Sequence, residues 1–404
     1  MALLHQFVSL LRDGEQTPEE LTETCAARVR ALDPELHAWL ELAPQPATGS
    51  GALSGIPFAA KDIFETAGLL SEYGSPLYRG RRSTVDASLV ADLRARGAIL
   101  MGKTHTTAFA FFDPAPTRNP RNPQHTPGGS SSGSAAAVAA GMVPFALGSQ
   151  TQGSVLRPAS FCGIAGFKPT FGWCSREGML PFAPSLDTAG FFTGDAADMA
   201  LLWTLLDRPV PTEYPVTLAV PRDGLDVEPP MMAGFKDTVG RLGAAGFRVT
   251  AIDFPKGSED LATAVRTIQF YEGGRTLESL WRQHGAALGV KLAGMVEEGL
   301  AMSKDQYQEA VGLIDSQKQA FCKLFEEFGL LATPAAVGPA PAGLSSTGDP
   351  RMNAPWTGLG VPAISIPMPA GTSLPLGLQL AGPWNQDGGL LAAAMRAESI
   401  FAVT

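Results

Sequence analysis

Three short segments of this 404-residue chain set amine and hydroxyl groups among small and apolar residues, where a core alone would not need them. The segment GIPFAAKDIF (55–64) holds one lysine, Lys61, in an apolar run. Lysine is rarely buried without a partner or a purpose. GGSSSGSAAAVAAG (128–141) clusters Ser130, Ser131 and Ser132 between glycines and continues into alanines. GSQTQGSVLRPASFCGIAGFKPT (148–170) presents Ser154 after a polar turn, with Arg157 just beyond it. A serine hydroxyl is a weak nucleophile until a base removes its proton. A lysine can be that base only when neutral, and burial among apolar groups favours the neutral amine. One lysine and two glycine-flanked serines therefore read as a Ser–Ser–Lys nucleophile system.

The serine cluster has two other readings. A flexible linker has this composition, but a linker does not run straight into a block of small and apolar residues. A Walker-type phosphate cradle needs Gly-Lys-Ser/Thr, and no lysine follows here. What remains is a tight turn entering a helix near Ser134, with N-terminal amides available to anions or polar side chains. Taken singly, Lys61 reads as a snorkelling lysine or a partner of Asp62, Ser130 as a turn residue, and Ser154 as a helix cap. Together they point to chemistry. His5, His37, His105, His125 and His284 have no metal-ligand spacing and stand outside these segments. Neither a metal nor a Ser-His-Asp triad is indicated.

In order and spacing these motifs resemble the amidase signature family. The resemblance covers nearly the whole chain, extending to PSLDTAG (184–190), VPAISIP (361–367) and LPLGLQLAG (374–382). The short length, Arg157 and STGDPRMNAPWTGLGVPAISIP (346–367) look closest to malonamidase-type members. The resemblance implies an α/β fold, a single compact domain with a mixed central β-sheet flanked by helices on both faces. It implies Ser154 as the acyl-accepting nucleophile, Ser130 as a bridging serine in a cis peptide and Lys61 as the ultimate base, supported by Ser131 and Ser149. The family spacing selects the first serine of the cluster. Backbone amides of Thr151, Gln152, Gly153 and Ser154 are expected to form the oxyanion hole. The family commonly has Gly-Gly before the nucleophile, whereas this chain has Gln152-Gly153. The Gln152 side chain is expected to narrow or polarise the acyl pocket, and a positive φ there would strain it. Arg157 suits a bidentate pair with a substrate carboxylate, or a brace between loop carbonyls. Asp187 and the Lys-Pro-Thr at 168–170 are expected to be structural.

The expected activity is thus amide C–N cleavage through an acyl-enzyme, releasing ammonia or an amine from a small substrate, with a carboxylate-bearing amide as one candidate. No cofactor is implied. Two alternatives stand beside it: a glutaminase (A) subunit of a tRNA-dependent amidotransferase, which needs a partner, and a hydrolase of neutral anilides or carbamates. A homodimer is compatible with either hydrolase.

The rest of the chain must position these groups. Apolar residues make up 45% and charged residues 17%, a balance that supplies a large core and excludes disorder. A net charge of −9 gives no nucleic-acid or membrane footprint. Cys25, Cys162, Cys174 and Cys322 lack Cys-x-x-Cys spacing, and the opening residues lack the basic start of a signal peptide, so a cytoplasmic protein is expected. Thr17, Pro18 and Glu20 form a capping box ahead of Leu21, Cys25, Val29 and Leu32 at helical spacing. A helix stopped by Gly97 and a strand over AILM follow, then a loop over 113–127. Past about residue 205, strands at 216–225 and 246–254 flank a helix starting near Pro230, and 258–328 is mostly helical. Strand-like segments then lead to a helix over 389–402, with 338–350 an ordered loop over a site or interface. Alternating strands and helices favour a sheet covered on both faces. The organisation expected is one domain over 1–404, with a core at about 53–204 and 330–404 and a helical excursion at about 229–328.

Overall fold

The computed structural model describes residues 3–214, 216–369 and 373–401. Among them eleven strands form one sheet: β1 (Trp39–Gln45), β2 (Pro57–Lys61), β3 (Ile99–Thr104), β4 (Phe145–Gln150), β5 (Ala165–Lys168), β6 (Thr188–Thr193), β7 (Thr217–Pro221), β8 (Arg248–Ile252), β9 (Leu330–Pro334), β10 (Ala363–Pro367) and β11 (Gly377–Ala381). Their spatial order is β1-β3-β2-β4-β6-β5-β10-β11-β9-β7-β8. β2 runs parallel to both β3 and β4, and β7 runs parallel to β8 and β9. The pairs from β4 through β6, β5, β10 and β11 to β9 are antiparallel. The sheet is mixed, as the resemblance implied.

Sequence explains the covering. β2, β4, β5, β6, β9 and β11 are buried at every position, the pattern of strands with helices on both faces. The alanine block forms the helix Ser132–Ala139, and all eight of its residues are buried. Small side chains let it approach its neighbours closely. A Cβ on Gly133 would lie 2.2 Å from the Ala38 carbonyl oxygen. The helix starts two residues before Ser134, which places Ser130 in the turn just ahead of it.

The capping box is present: Glu20 N donates to Thr17 Oγ1 (3.2 Å) and Thr17 N to Glu20 Oε2 (2.8 Å), opening the helix Pro18–Leu36. The helix Ser88–Ala95 ends before Gly97, whose φ is +97°, and β3 follows. The final helix runs Asp387–Phe401; residue 402 of the expected span lies outside the described residues. A helix over Leu4–Arg12 was not expected from the sequence.

Two apolar clusters share the interior. One packs against the sheet and takes Leu218, Leu330, Ile364 and Leu380, while the alternate positions Ala219, Leu331, Ala363 and Ala381 belong to the other. The second joins the helices Leu261–His284, Val290–Ala301 and Lys304–Phe328 to Phe109, Phe111, Phe182, Leu156 and Trp356. Phe111 stacks on Phe182 at 5.6 Å and meets Phe270 edge-on at 5.9 Å. These contacts bring the helical region over the carboxyl ends of β2 and β4. No described helix is long and apolar enough to cross a membrane.

Candidate active site

β2 and β4 are parallel neighbours, and ligand sites in such sheets lie beyond the strands' carboxyl ends. Lys61 is the last residue of β2 and Ser149 the penultimate residue of β4. The turn before Ser132–Ala139 delivers Ser130 to the same place. Lys61 Nζ lies 2.7 Å from Ser130 Oγ and 2.8 Å from Ser149 Oγ. Ser131 Oγ contacts the backbone N and O of Ser149, each at 3.3 Å, and so ties the serine turn to β4. The Gly129–Ser130 peptide is cis. Arg157 Nη2 donates to Gly129 O (2.8 Å), while Thr107 N (3.2 Å) and Thr106 Oγ1 (3.1 Å) donate to Ser130 O. Both carbonyls of that turn are held.

Lys61 has no exposed surface. The simple alternative, a pair with Asp62, is not what forms, because Asp62 pairs with Lys103 at 3.0 Å. Burial therefore acts on Lys61 with little opposition: it lowers the pKa from 10.5 to about 7, against a weaker upward pull from Asp187. An amine at that pKa is a usable base near neutrality. Burial raises Asp187 to about 6, and hydrogen bonds from Thr151 Oγ1 (2.6 Å) and the amides of Phe182 (2.8 Å) and Ala183 (3.0 Å) partly offset it. Asp187 thus ties Thr151 to the turn at Phe182 and Ala183. Lys168 donates to the carbonyls of Pro169 (2.9 Å) and Val361 (2.6 Å), a brace between strands β5 and β10.

The segment between β4 and the helix Leu156–Cys162 is pinned at several atoms. Gln150 Oε1 accepts from Val155 N (2.9 Å) and Leu156 N (3.1 Å), and Thr357 Oγ1 donates to Gln152 O (2.9 Å). Gln152 is not among the described residues with positive φ, so the strain foreseen for it does not arise. Gly153 is required for space. A Cβ there would lie 2.5 Å from Asn353 Oδ1 and 2.8 Å from Arg157 Nη1. Ser154 is half-buried where its neighbours are buried, and with Ser130, Gln152, Gly153 and Arg157 it lines one small cavity.

Arg157 is 2% exposed. Its Nε donates to Thr347 O (2.7 Å) and its Nη2 to Gly129 O, while Nη1 is buried and has no hydrogen-bond partner. Burial lowers its pKa to about 10, opposed by Asp349, so it keeps its charge at neutral pH. Of the two sequence roles, the brace between loop carbonyls is what forms, at two nitrogens, and the third nitrogen has no partner. Gln269 was not foreseen. It sits on the helix Leu261–His284, is 3% exposed, lines the same cavity and has a buried, unpartnered Oε1. No local motif marks it, since only tertiary packing brings it in from more than a hundred positions away. The loop over 338–350 does cover the site, through Thr347 and Pro350. The fold also gathers His5, Asp195 and Asp198, which sequence spacing could not show. Asp198 accepts from Leu4 N, His5 N and His5 Nδ1 (2.7, 3.0 and 2.8 Å), which ties the first helix to the helix Ala196–Leu205.

A model described as Amidase matches residues 20–391. The A subunit of glutamyl-tRNA(Gln) amidotransferase from Thermus thermophilus is 32% identical over 468 aligned positions, covering 99% of this chain and 97% of that protein. The solved structure titled "Crystal structure of amidase" superposes with a TM-score of 0.90 at 27% identity, covering 99% of this chain and 100% of that one. The Thermotoga maritima counterpart of the amidotransferase protein superposes with a TM-score of 0.82 at 26% identity, over 98% and 93%. Fold and matches together define an enzyme that acts on amide C–N bonds. The chain belongs to the amidase signature family.

Proposed function

We propose that this chain is a free-standing amidohydrolase of malonamidase type, with Ser154 as nucleophile, Ser130 as proton relay, Lys61 as base and a substrate carboxylate on Arg157. The observation that carries the reading is the buried Lys61 amine within hydrogen-bond distance of two serine hydroxyls, with its neighbouring carboxylate engaged elsewhere. Neutral, that amine keeps two N–H bonds and one lone pair, so it can donate to Ser149 while accepting from Ser130. Ser130 then takes the proton of Ser154 as Ser154 Oγ attacks the carbonyl carbon. The carbonyl oxygen becomes an oxyanion against the amides of Thr151, Gln152, Gly153 and Ser154. The C–N bond breaks as the proton returns through Ser130 to the leaving nitrogen. Water then attacks the acyl-enzyme by the same relay and releases the acid.

Arg157 supports the acidic substrate. A buried guanidinium nitrogen without a partner is costly, and an entering carboxylate relieves it. Gln269 Oε1, an unpartnered acceptor in the wall of the same cavity as Arg157, is available to an amide N–H of the substrate. A second reading is the glutaminase subunit of a tRNA-dependent amidotransferase, favoured by curated relatives that are 30–32% identical. The end-to-end match to a solved amidase, at the higher TM-score, favours the first. Ammonia or amine release from malonamate, a neutral amide of similar size and glutamine decides between them. Preference for malonamate by the chain alone supports the proposal. Preference for glutamine, or activity only with a co-purified partner protein, supports the second reading.

A further inference from the structure

The space at Ser154 is too small for an amide substrate. It has a volume of about 10 Å³, near the ~10–15 Å³ that one water occupies. An outer cavity of about 510 Å³ lies beside it, within the ~300–1,000 Å³ range of small-ligand sites. The segment 343–350 stands between the two. Thr347 and Pro350 belong to the inner wall, and Ser346, Gly348, Asp349 and Pro350 to the outer. Thr347 is buried, and a Cβ on Gly129 would lie 2.8 Å from its Cγ2. Its methyl is therefore seated against the turn that carries Ser130.

The other walls are fixed. The serine turn and the segment 150–156 are pinned by the bonds given above. Phe111 is buried against Phe182 and Phe270, and Gln269 sits within a 24-residue helix. The strap 343–350 is held differently. Its ends are tied, by Gly343 N to Gln124 O (2.8 Å) and by Asn353 N to Pro350 O (2.8 Å). Between them Ser345, Ser346 and Asp349 are exposed. Apart from the pair of Asp349 with its neighbour Arg351, two hydrogen bonds leave the strap there among the described residues. They run from Lys291 Nζ to Ser345 O (2.9 Å) and from Arg157 Nε to Thr347 O (2.7 Å). Lys291 is exposed and also donates to Phe112 O (3.1 Å), so it clasps the strap to another part of the cavity wall. An exposed backbone with few outward bonds belongs to the low-stability end of a fold, from which moving covers are drawn. Gly343 and Gly348, at φ +74° and +82°, can leave and re-enter these conformations without a Cβ clash.

We propose that 343–350 is a lid over the active site, with Lys291 as its latch. Closed, it seats Thr347 on Gly129 and leaves room for about one water. Lifted, it joins the space at Ser154 to the outer cavity and lets an amide reach the nucleophile. This rests on the reading of Ser154 above. Such gating steps set the rate of entry and release without taking part in bond breaking.

The test reads the lid from both sides. Thr347→Cys puts a thiol at the seat, where N-ethylmaleimide reaches it only when the strap lifts. Peptide mass mapping separates that site from Cys174 and from the exposed Cys322. Modification at the seat is expected to run at least about a hundredfold slower than at Cys322. It is expected to become about threefold faster or more once Lys291→Met removes the latch's two hydrogen bonds. In the chain with native Thr347, Lys291→Met is expected to speed the labelling of Ser154 by an alkyl fluorophosphonate by a similar factor. That second measurement leaves the strap unchanged, so it stands if Thr347→Cys does not fold. A thiol at the seat as reactive as Cys322 overturns the proposal, as does a latch variant that moves neither rate. A rise at the seat alone shows a strap that opens without gating Ser154, and a rise at Ser154 alone assigns entry to another wall; either overturns it. Failure of the nucleophile reading shows separately, as an adduct on a residue other than Ser154, and leaves the maleimide comparison standing.

Discussion

The pH dependence of the reaction follows from Lys61, and its size can be worked out. Burial moves this amine from 10.5 to about 7. At pH 7 a lysine with the ordinary value is neutral in roughly one molecule in three thousand, and one at about 7 in roughly half. The fold thus raises the fraction of usable base about a thousandfold or more. For a neutral amide, which has no titration of its own here, kcat/KM should rise with pH along a limb of unit slope and level off above a midpoint near 7. Lys61→Met should remove the limb and lower kcat/KM by ~10²–10⁴, the usual contribution of a positioned base. The assay is initial-rate amine release between pH 5 and 10 in buffers of constant ionic strength. A midpoint near 10 in the wild-type chain would refute the buried-base reasoning. A limb that persists in Lys61→Met, for example near pH 6 where Asp187 titrates, would assign it to another group.

Other expectations are as direct. Arg157→Lys should lose about ten- to a hundredfold in kcat/KM for acidic amides and little for neutral ones, because an ammonium cannot supply the free arm of the fork. Arg157→Ala should also lower the melting temperature, since the carbonyls of Gly129 and Thr347 lose their donors at about 1–3 kcal/mol each. Gly153→Ala should abolish turnover while the chain stays folded by circular dichroism, as the methyl would displace Asn353 and Arg157. Because the folded-state pKa of Lys61 lies below its unfolded value, the unfolded chain binds the extra proton between about pH 7 and 10.5. Stability contributed by this site is lost as pH falls through that window, so melting temperature should rise from pH 7.5 to 9.5, and less steeply in Lys61→Met.

Much of this site was legible because its parts lie in short local motifs. Lys61, the serine cluster and Ser154 each announce themselves by unusual neighbours, and the all-buried strands explain the uninterrupted apolar runs around them. The capping box at Thr17 and the stop at Gly97 were readable for the same reason: each is decided within a few residues. What the sequence hid is long-range. Gln269 reaches the cavity only because the helix Leu261–His284 packs over Phe111 and Phe182. That Asp62 takes Lys103, leaving Lys61 without a carboxylate, depends on β2 lying beside β3. The bracing role of Arg157 needed the carbonyl positions of two separate loops. The helix Leu4–Arg12 does carry a local amphipathic pattern, with Leu4 and Phe7 buried, while the tie of its amino end to Asp198, far along the chain, is long-range.

The claim that Ser154 carries the acyl group is tested most directly by trapping it. The chain is incubated with a fluorophosphonate or an activated acyl ester, weighed intact, and digested to map the modified residue by mass spectrometry. One adduct per chain is expected, on Ser154 alone, absent from Ser154→Ala and formed more slowly in Lys61→Met. An adduct on Ser130 or any other residue, or unchanged labelling of Ser154→Ala, would contradict the account.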